Sequence, residues 1–136
     1  MSRDGDPLTG ARFRVEVDGL ERSGAMEVVL PEGRIFEEPG PVREVRFGRL
    51  VLRRGMLAAS DWYEWWAGAR RSASNSLRRV TIVLTDQGGD DVQRWILADA
   101  VPTAYAVSPL SAASGQLLIE TLELTVADMT AEFAGR

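Results

Sequence analysis

Residues 45–66, VRFGRLVLRRGMLAASDWYEWW, decide how the rest of the chain is interpreted. Apolar residues alternate in the first part, Arg-Arg-Gly at 53–55 is typical of a turn, and aromatic residues at helical spacing end the stretch. This pattern predicts a strand, a turn and a short helix. We predict Asp61 as the helix N-cap, with the Glu64 side chain reaching back to its backbone N–H.

The aromatic residues of this helix predict what it packs against. Trp62, Trp65 and Trp66 fall on one helical face, and we expect such a face to cover a sheet. The alternative is a monomeric β-sandwich binding module in which the same side chains contact a glycan or a peptide. That alternative predicts exposed tryptophans.

The residue types that are missing restrict the possible chemistry. The chain has no Cys and no His, and all 16 of its basic residues are Arg. These absences exclude disulfides, thiolate chemistry, a histidine base, Schiff-base chemistry and the lysine of a phosphate-binding loop. A carboxylate enzyme built on Asp61 and Glu64 is the remaining catalytic hypothesis, and the capping role of both residues argues against it. We therefore predict no catalytic residue and no metal site.

Length and composition predict one globular domain. The chain has 136 residues, of which 45% are apolar and 26% charged. Residues 1–11 are expected to be a flexible N-terminal arm, and residues 12–136 a single domain. We find no membrane span and no signal peptide, so we expect the protein to remain in the cytoplasm. The net charge of −4 argues against nucleic-acid binding, because that affinity comes from neutralising phosphates.

Alternating apolar residues and turn signals predict seven or eight short strands and one helix. The fold class is therefore mainly β, an antiparallel β-sandwich or a small barrel with the helix across one opening. Pro102 is expected to end a strand, and the last strand, at 117–126, to close the sheet. The main predicted strands are 13–17, 25–30, 78–85, 94–100 and 117–126.

Some apolar residues are predicted in the core and others at a contact with a neighbouring copy. Residues 32–42 are predicted as a proline-bearing loop whose apolar pair meets a neighbour. The last strand has apolar residues on both faces, which predicts burial in the core and against a neighbour. The predicted assembly interface is Ile35, Phe36, Glu37, Glu38, Leu117 and Ile119. The predicted core and helix packing residues are Trp62, Trp65, Trp66, Trp95, Val80, Ile82, Leu118, Leu122 and Leu124.

An ordered set of short motifs resembles the tail-tube family of contractile phages and of phage-derived contractile injection systems. The most specific motif is the strand end at 50–55 with the tryptophan-rich helix after it. The resemblance covers roughly residues 12–126. The motifs are VEVDGL at 15–20, GAMEV at 24–28, LVLRRG at 50–55, WYEWW at 62–66, WILADAVP at 95–102 and IETLEL at 119–124.

The resemblance implies a structural subunit without catalytic residues or a cofactor. Such subunits form rings, usually hexamers, which stack into a hollow tube that is driven out by contraction of an outer sheath. The implied partners are other copies of the chain, the sheath protein, the baseplate and spike proteins and effector cargo in the lumen. No membrane and no sequence-specific nucleic acid is implied. The resemblance also implies assembly in the cytoplasm as part of a phage tail or a tail-like particle.

Two departures from the family pattern leave the position in the machine open. The loop at 32–42 is shorter than is usual in the family, where it reaches the next ring. The usual His-Glu-Gly-like tail is also missing, since the chain reads Thr-Val-Ala-Asp at 125–128. The chain could thus be the repeating tube subunit, a second tube paralogue, or a tube-like initiator ring at the baseplate.

Overall fold

Period-two alternation of apolar and polar side chains builds most of the molecule, because successive side chains of a strand point to opposite faces. The computed structural model describes residues 7–21, 24–37, 40–112 and 115–134. Within them lie nine strands and the helix α1 (Asp61–Arg71). The strands are β1 (Arg12–Val17), β2 (Glu27–Val29), β3 (Gly33–Glu37), β4 (Arg43–Phe47), β5 (Leu50–Gly55), β6 (Arg78–Thr85), β7 (Asp91–Val107), β8 (Ile119–Thr125) and β9 (Asp128–Phe133).

The long strand β7 organises the main sheet, which is antiparallel throughout. Its first half lies between β6 and β9, with β1 beyond β6, and we name these strands the first half-sheet. Its second half pairs with β8, followed by β5 and β2, and we name these the second half-sheet. Among the described residues β1 does not pair with β2, so the sheet is not a closed barrel. The predicted mainly β, antiparallel fold with one helix is confirmed.

Both half-sheets and the helix contribute side chains to one hydrophobic core. Strands β1, β5, β6, β7 and β8 each bury the residues of one face, and α1 covers the core with Trp62 and Trp65. Trp66, Trp95 and Leu118 are half-buried, and the first two pack against the core from its rim. The fully buried core residues include Leu50, Leu52, Trp62, Val80, Leu97, Leu122 and Leu124.

The helix begins one residue earlier than its predicted cap. Ser60 is the N-cap, and its Oγ accepts a hydrogen bond from the Tyr63 backbone N–H at 3.1 Å. Asp61, the predicted cap, is the first helical residue, and its carboxylate instead accepts a hydrogen bond from Arg54. The prediction failed because a serine directly before an aspartate offers two equally good cap residues, and only the tertiary partner of Asp61 decides between them.

The segment predicted as a loop at 32–42 contains a strand. Residues 33–37 form β3, which pairs with β4 in a separate two-stranded hairpin, with Ile35 opposite Val45. The prolines in and beside this segment favoured the prediction of a loop. In the structure Pro31 and Pro41 lie outside the strands and remove no hydrogen bond from the ladder. We name β3 and β4 together the hairpin. Glu38, one of the predicted interface residues, lies outside the described residues.

Three further boundaries differ from the predictions. The Arg-Arg-Gly at 53–55 ends β5 and is not a turn, because its residues pair with β8. Strand β7 continues through Pro102, which lies next to a register shift where a missing N–H is tolerated. The strand at 119–125 does not close the sheet. After two residues the chain forms β9, which pairs with the first half of β7.

Asp99 marks the point where β7 passes from one half-sheet to the other, and its φ is +52°. A left-handed conformation costs a residue with a Cβ about 1–2 kcal/mol, and a β-branched residue more. We expect Asp99→Gly to keep or raise the free energy of unfolding and Asp99→Val to lower it by about 2 kcal/mol. Urea unfolding measures both variants. Thr130→Val, at an exposed extended position of β9, is the control, and an equal effect of the two valines would contradict the strain at Asp99.

Candidate functional site

The hairpin carries the first group of predicted interface residues on two chemically different faces. Ile35 and Val45 lie opposite each other on one face and are exposed by 52% and 56%. Phe36 lies on the other face, where the Arg46 guanidinium sits 4.3 Å from its ring centroid. Glu37 pairs with Arg43 at 3.1 Å. The hairpin strands pair only with each other among the described residues, so neither outer edge of the hairpin is hydrogen-bonded to another strand.

Charge pairing along the hairpin is local. Arg46 donates a hydrogen bond to Glu44 at 3.1 Å, and this contact lowers the pKa of the Glu44 carboxyl. Arg34 likewise donates to Glu32 at 2.8 Å. Because these pairs are exposed, they stabilise the hairpin little. Arg34, Glu44 and Arg46 lie on the face of Phe36, whereas Glu37 and Arg43 place an ion pair on the face that carries Ile35 and Val45.

Further exposed apolar side chains lie near the end of β5, at the start of α1 and in the connection from β7 to β8, and we name these residues together the end patch. Met56 lies beside the start of β8, since its backbone N–H donates to the Leu118 carbonyl at 2.9 Å. Tyr63 stacks edge-on against Tyr105, with 5.5 Å between ring centroids. Predicted interface residue Ile119 is half-buried beneath it. The exposed members of the end patch are Met56, Tyr63, Val107, Leu110 and Leu117.

A buried polar network lies on the core face of β5 and β8. Arg54 and Glu120 are register partners on β5 and β8, and the Arg54 Nε donates to Glu120 Oε2 at 2.7 Å. The other Glu120 oxygen accepts hydrogen bonds from Ser60 Oγ at 2.6 Å and from the Tyr105 hydroxyl at 2.7 Å. Burial, and then the hydrogen bond to Glu120, raise the pKa of Tyr105. The network joins the helix N-terminus to the three strands β5, β7 and β8 and leaves Glu120 no exposed surface for a substrate.

Sequence reasoning missed this network, although one signal was present. In the strand predicted at 117–126, Glu120 falls on the same face as Leu122 and Leu124, which are fully buried. A carboxylate in a row of core leucines requires a buried partner. The partner, Arg54, was assigned to a turn, so the pair could not be found without the register of β5 and β8.

The first half-sheet ends in two free edges of different composition. Strand β1 pairs only with β6, and β9 only with β7, among the described residues. One cross-strand row runs from Phe13 on β1 through Leu84 and Gln93 to Phe133 on β9. Phe133 is 52% exposed. Each edge therefore presents a partly exposed phenylalanine at the same level of the sheet.

The adjacent row of the same sheet is charged at both edges. It runs from Arg14 on β1 through Val83 and Arg94 to Glu132 on β9. Arg14 also pairs with Asp91 at 3.0 Å, and this contact lowers the pKa of the Asp91 carboxyl. The β1 edge thus ends in a positive side chain and the β9 edge in a negative one.

The tryptophans are placed as parts of the core and its rim. Trp62 is fully buried, and Trp65 is buried with its Nε1 donating to the Ser76 carbonyl at 2.7 Å. Trp66 and Trp95 are half-buried. This burial disfavours the binding-module alternative, which requires exposed tryptophans.

The carboxylates do not converge on a reaction centre. Asp61 and Glu64 line an open cleft of about 340 Å³ together with Glu21. Asp61 is already bonded to Arg54. Over residues 7–21, 24–37, 40–112 and 115–134, no group of three or more acidic residues is arranged to hold a metal ion. No helix in this part of the chain is long and apolar enough to cross a membrane.

Solved structures with the same fold include a chain of an extracellular contractile injection system. A chain in the six-fold symmetrised cryo-EM structure of the anti-feeding prophage (AFP) baseplate has a TM-score of 0.68 and 26% identity, covering 96% of this chain and 98% of that one. A chain of the PVC sheath-tube complex, an extracellular contractile injection system, has a TM-score of 0.61 and 16% identity, with coverages of 96% and 95%. Hcp1 from Salmonella typhimurium has a TM-score of 0.62 and 15% identity, with coverages of 92% and 87%.

The sequence itself decides the family. No curated protein sequence matches the chain. The model of the family described as T4-like virus tail tube protein gp19 matches residues 16–130, most of the chain and nearly the whole of the sheet. The predicted resemblance to contractile tail-tube proteins is therefore confirmed, and the chain belongs to the T4-like virus tail tube protein gp19 family.

Proposed function

We propose that this protein is a structural subunit of the inner tube of a contractile injection system or phage tail. Its copies form hexameric rings that stack into a hollow tube, and contraction of a sheath propels the tube. The observation that carries this proposal is the family match over residues 16–130. The likeness to a chain in a six-fold symmetrised baseplate supports the ring. The protein needs no catalytic residue and no cofactor for this role.

The free edges of the first half-sheet suggest how neighbours in a ring meet. Strands β1 and β9 run antiparallel to each other within the sheet, so the β9 edge of one copy can continue into the β1 edge of the next without inversion. Phe133 then meets Phe13 of the next copy, and Glu132 meets Arg14. Because the two edges differ, the contact is head-to-tail, and such a contact forms a ring when the rotation between neighbours closes.

The remaining predicted interface residues belong to contacts between copies as well. We assign Ile35, Phe36, Glu37 and Glu38 to a contact of the hairpin with a neighbour, and Leu117 and Ile119 to the surface at the start of β8. The exposure of Ile35 and Leu117, 52% and 63%, supports both assignments. Residues 12–136 are assigned to the single domain, and of the predicted N-terminal arm at 1–11, residues 1–6 lie outside the described residues.

The partners follow from the machines in which similar chains are found. The sheath-tube complex and the baseplate support a sheath protein and baseplate or spike proteins as partners. Effector cargo occupies the lumen, and the chain binds neither a membrane nor a specific nucleic-acid sequence. Assembly takes place in the cytoplasm. Alternating Arg and Glu side chains at 12–16 suit a wet channel wall.

A tube-initiator ring at the baseplate is the second candidate. The similar chain with a TM-score of 0.68 comes from the anti-feeding prophage baseplate structure, and this origin favours a position at the baseplate. A repeating tube subunit polymerises alone into tubes of many rings, whereas an initiator stops at single rings or needs baseplate partners. Negative-stain electron microscopy of the purified protein distinguishes the two, and a chain that forms neither rings nor tubes, alone or with baseplate proteins added, would contradict both.

Phe133→Asp tests the ring contact. We expect a folded protein that stays monomeric by light scattering, because the substitution puts a charge in the centre of the proposed edge contact while the residue is 52% exposed within the subunit. Leu77→Asp is the matched control, since Leu77 is 45% exposed and lies away from both edges. Rings of normal mass from Phe133→Asp would exclude the β9 edge from the contact.

A further inference from the structure

Two arginines of β1 lie on the same face at the free edge of the sheet, and they differ in what they already bind. Arg14 donates to both carboxylate oxygens of Asp91, at 3.0 and 3.2 Å, and through its Nε to Glu16 at 3.0 Å. Arg12 is exposed, and its side chain forms no ion pair with any residue that the structure describes. Within the described chain, Arg12 is therefore a cation of the β1 edge that remains available to another molecule.

The β9 edge carries a carboxylate that is available in the same way. Glu132 is exposed and, in the described part of the chain, forms no ion pair. Its register partner on β7 is Arg94, which lies 3.9 Å from Asp91. Glu132 borders an open cleft of about 260 Å³ at the end of the sheet, whose other lining residues are Asp91, Gln93, Arg94, Phe133 and Ala134. The cleft thus combines an available carboxylate with the apolar ring of Phe133.

The ring contact proposed above brings these two side chains together. In that contact Phe133 lies beside Phe13 of the next copy, and the two edge strands are antiparallel, so Arg12 of the next copy is level with Ala134. Side chains alternate between faces along a strand, which puts this Arg12 and Glu132 on the same face as diagonal neighbours. Diagonal neighbours lie about 7–8 Å apart, and a long side chain spans that distance.

We propose that Arg12 of one copy binds in the cleft at the β9 edge of its neighbour, where its guanidinium pairs with Glu132 and its methylene stem covers Phe133. An arginine can lay its stem on an apolar surface while its charged head binds a carboxylate. Arg14, opposite Glu132 in the same contact, stays bound to Asp91 of its own copy. This inference rests on the proposed ring of copies, and it names the charge pair that stabilises each contact between neighbours.

Charge reversal tests the pair. Arg12→Glu and Glu132→Arg are purified separately and examined by light scattering and negative-stain microscopy. Both positions are exposed, so both variants should fold, and circular dichroism checks this. We expect each variant alone to need a roughly tenfold or higher protein concentration than the wild type to form rings, because like charges then face each other in every contact. An equimolar mixture should form rings near the wild-type concentration, since native and reversed pairs then alternate around a ring of six.

Two controls separate the pair from a general effect of charge. The double variant with Arg12→Glu and Glu132→Arg should form rings by itself, because each contact keeps one cation and one anion. Arg79→Glu is the matched single control, since Arg79 is an exposed arginine at the start of β6, a strand inside the sheet. It should leave ring formation unchanged. Native mass spectrometry of the mixed rings should give equal numbers of the two single variants.

The outcomes distinguish the charge pair from the function on which it rests. Rings from Arg12→Glu alone at the wild-type concentration would overturn the pair and leave the ring standing. Loss of rings in both single variants, without recovery in the mixture or in the double variant, would also overturn it, because the two residues would then act separately. A wild-type protein that forms neither rings nor tubes, alone or with baseplate proteins added, would contradict the proposed function itself. Recovery in the mixture supports both.

Discussion

Replacing Glu120 with Ala is expected to lower the free energy of unfolding by about 3 kcal/mol, because removal of one member of a buried ion pair leaves the other charge buried. Glu120 is fully buried and Arg54 is 5% exposed. The change also removes the acceptor of Ser60 and Tyr105. Asp61 remains bonded to Arg54 and limits the loss. Urea unfolding measures the effect. The protein concentration is chosen so that light scattering gives the mass of a single subunit.

An exposed glutamate gives the matched control. Glu16 pairs with Arg14 at 3.0 Å, but both side chains are about half exposed, so Glu16→Ala should cost less than about 1 kcal/mol. The double variant with Arg54→Met and Glu120→Leu removes both charges and should recover most of the stability. Equal effects of Glu120→Ala and Glu16→Ala would contradict the role assigned to the network.

Local sequence patterns were sufficient to predict an element whose own residues determine its structure. The alternation at 78–85 predicted β6 with its exact bounds. The aromatic face of the helix predicted that α1 covers a sheet, and Trp62 and Trp65 are buried there. These features depend on the periods of a strand and a helix, which a single segment displays.

The hairpin could not be predicted in the same way. Its strands are five residues each and rich in charge, and a proline-bearing segment with few apolar residues is typical of a loop. The hairpin forms because cross-strand partners lie together, such as Ile35 with Val45 and Glu37 with Arg43. Pairing between segments ten residues apart is a tertiary property that periodicity does not display.

The buried network around Glu120 could not be predicted either, because periodicity does not show which strands pair. Its central contact joins residues 66 positions apart in the chain. The sequence places Glu120 among core leucines, but it does not say that Arg54 lies opposite, because that requires the register of β5 against β8. The assignment of the helix cap failed for the same reason, since Arg54 also engages Asp61. Ile35 and Leu117 are exposed, as the short segments around them indicate, and their place in an assembly interface stays a prediction.

Replacing Trp62 with Ala is expected to cost about 4 kcal/mol, since deletion of a large buried aromatic side chain leaves a cavity that the core fills only partly. Trp62 is fully buried, and the Arg54 guanidinium lies 4.0 Å from its ring centroid. The variant therefore loses packing and a cation–π contact with the network at once. Its neighbour on the helix, Tyr63, is 46% exposed, and Tyr63→Ala should cost less than about 1 kcal/mol. Urea unfolding followed by circular dichroism compares the two.

Trp62→Phe distinguishes two contributions of Trp62 to stability, the packing of its ring and the buried indole N–H. The Trp62 Nε1 is buried and has no hydrogen-bond partner among the described residues, and an unpaired buried donor destabilises the folded state by about 1–3 kcal/mol. Phenylalanine loses part of the packing but also removes this donor, so we expect a net cost near 1 kcal/mol. A cost as large as that of Trp62→Ala would mean that the indole N–H is satisfied in solution. Trp62 would then donate a hydrogen bond to the buried network. Loss of this hydrogen bond, more than loss of packing, would account for the cost of Trp62→Phe.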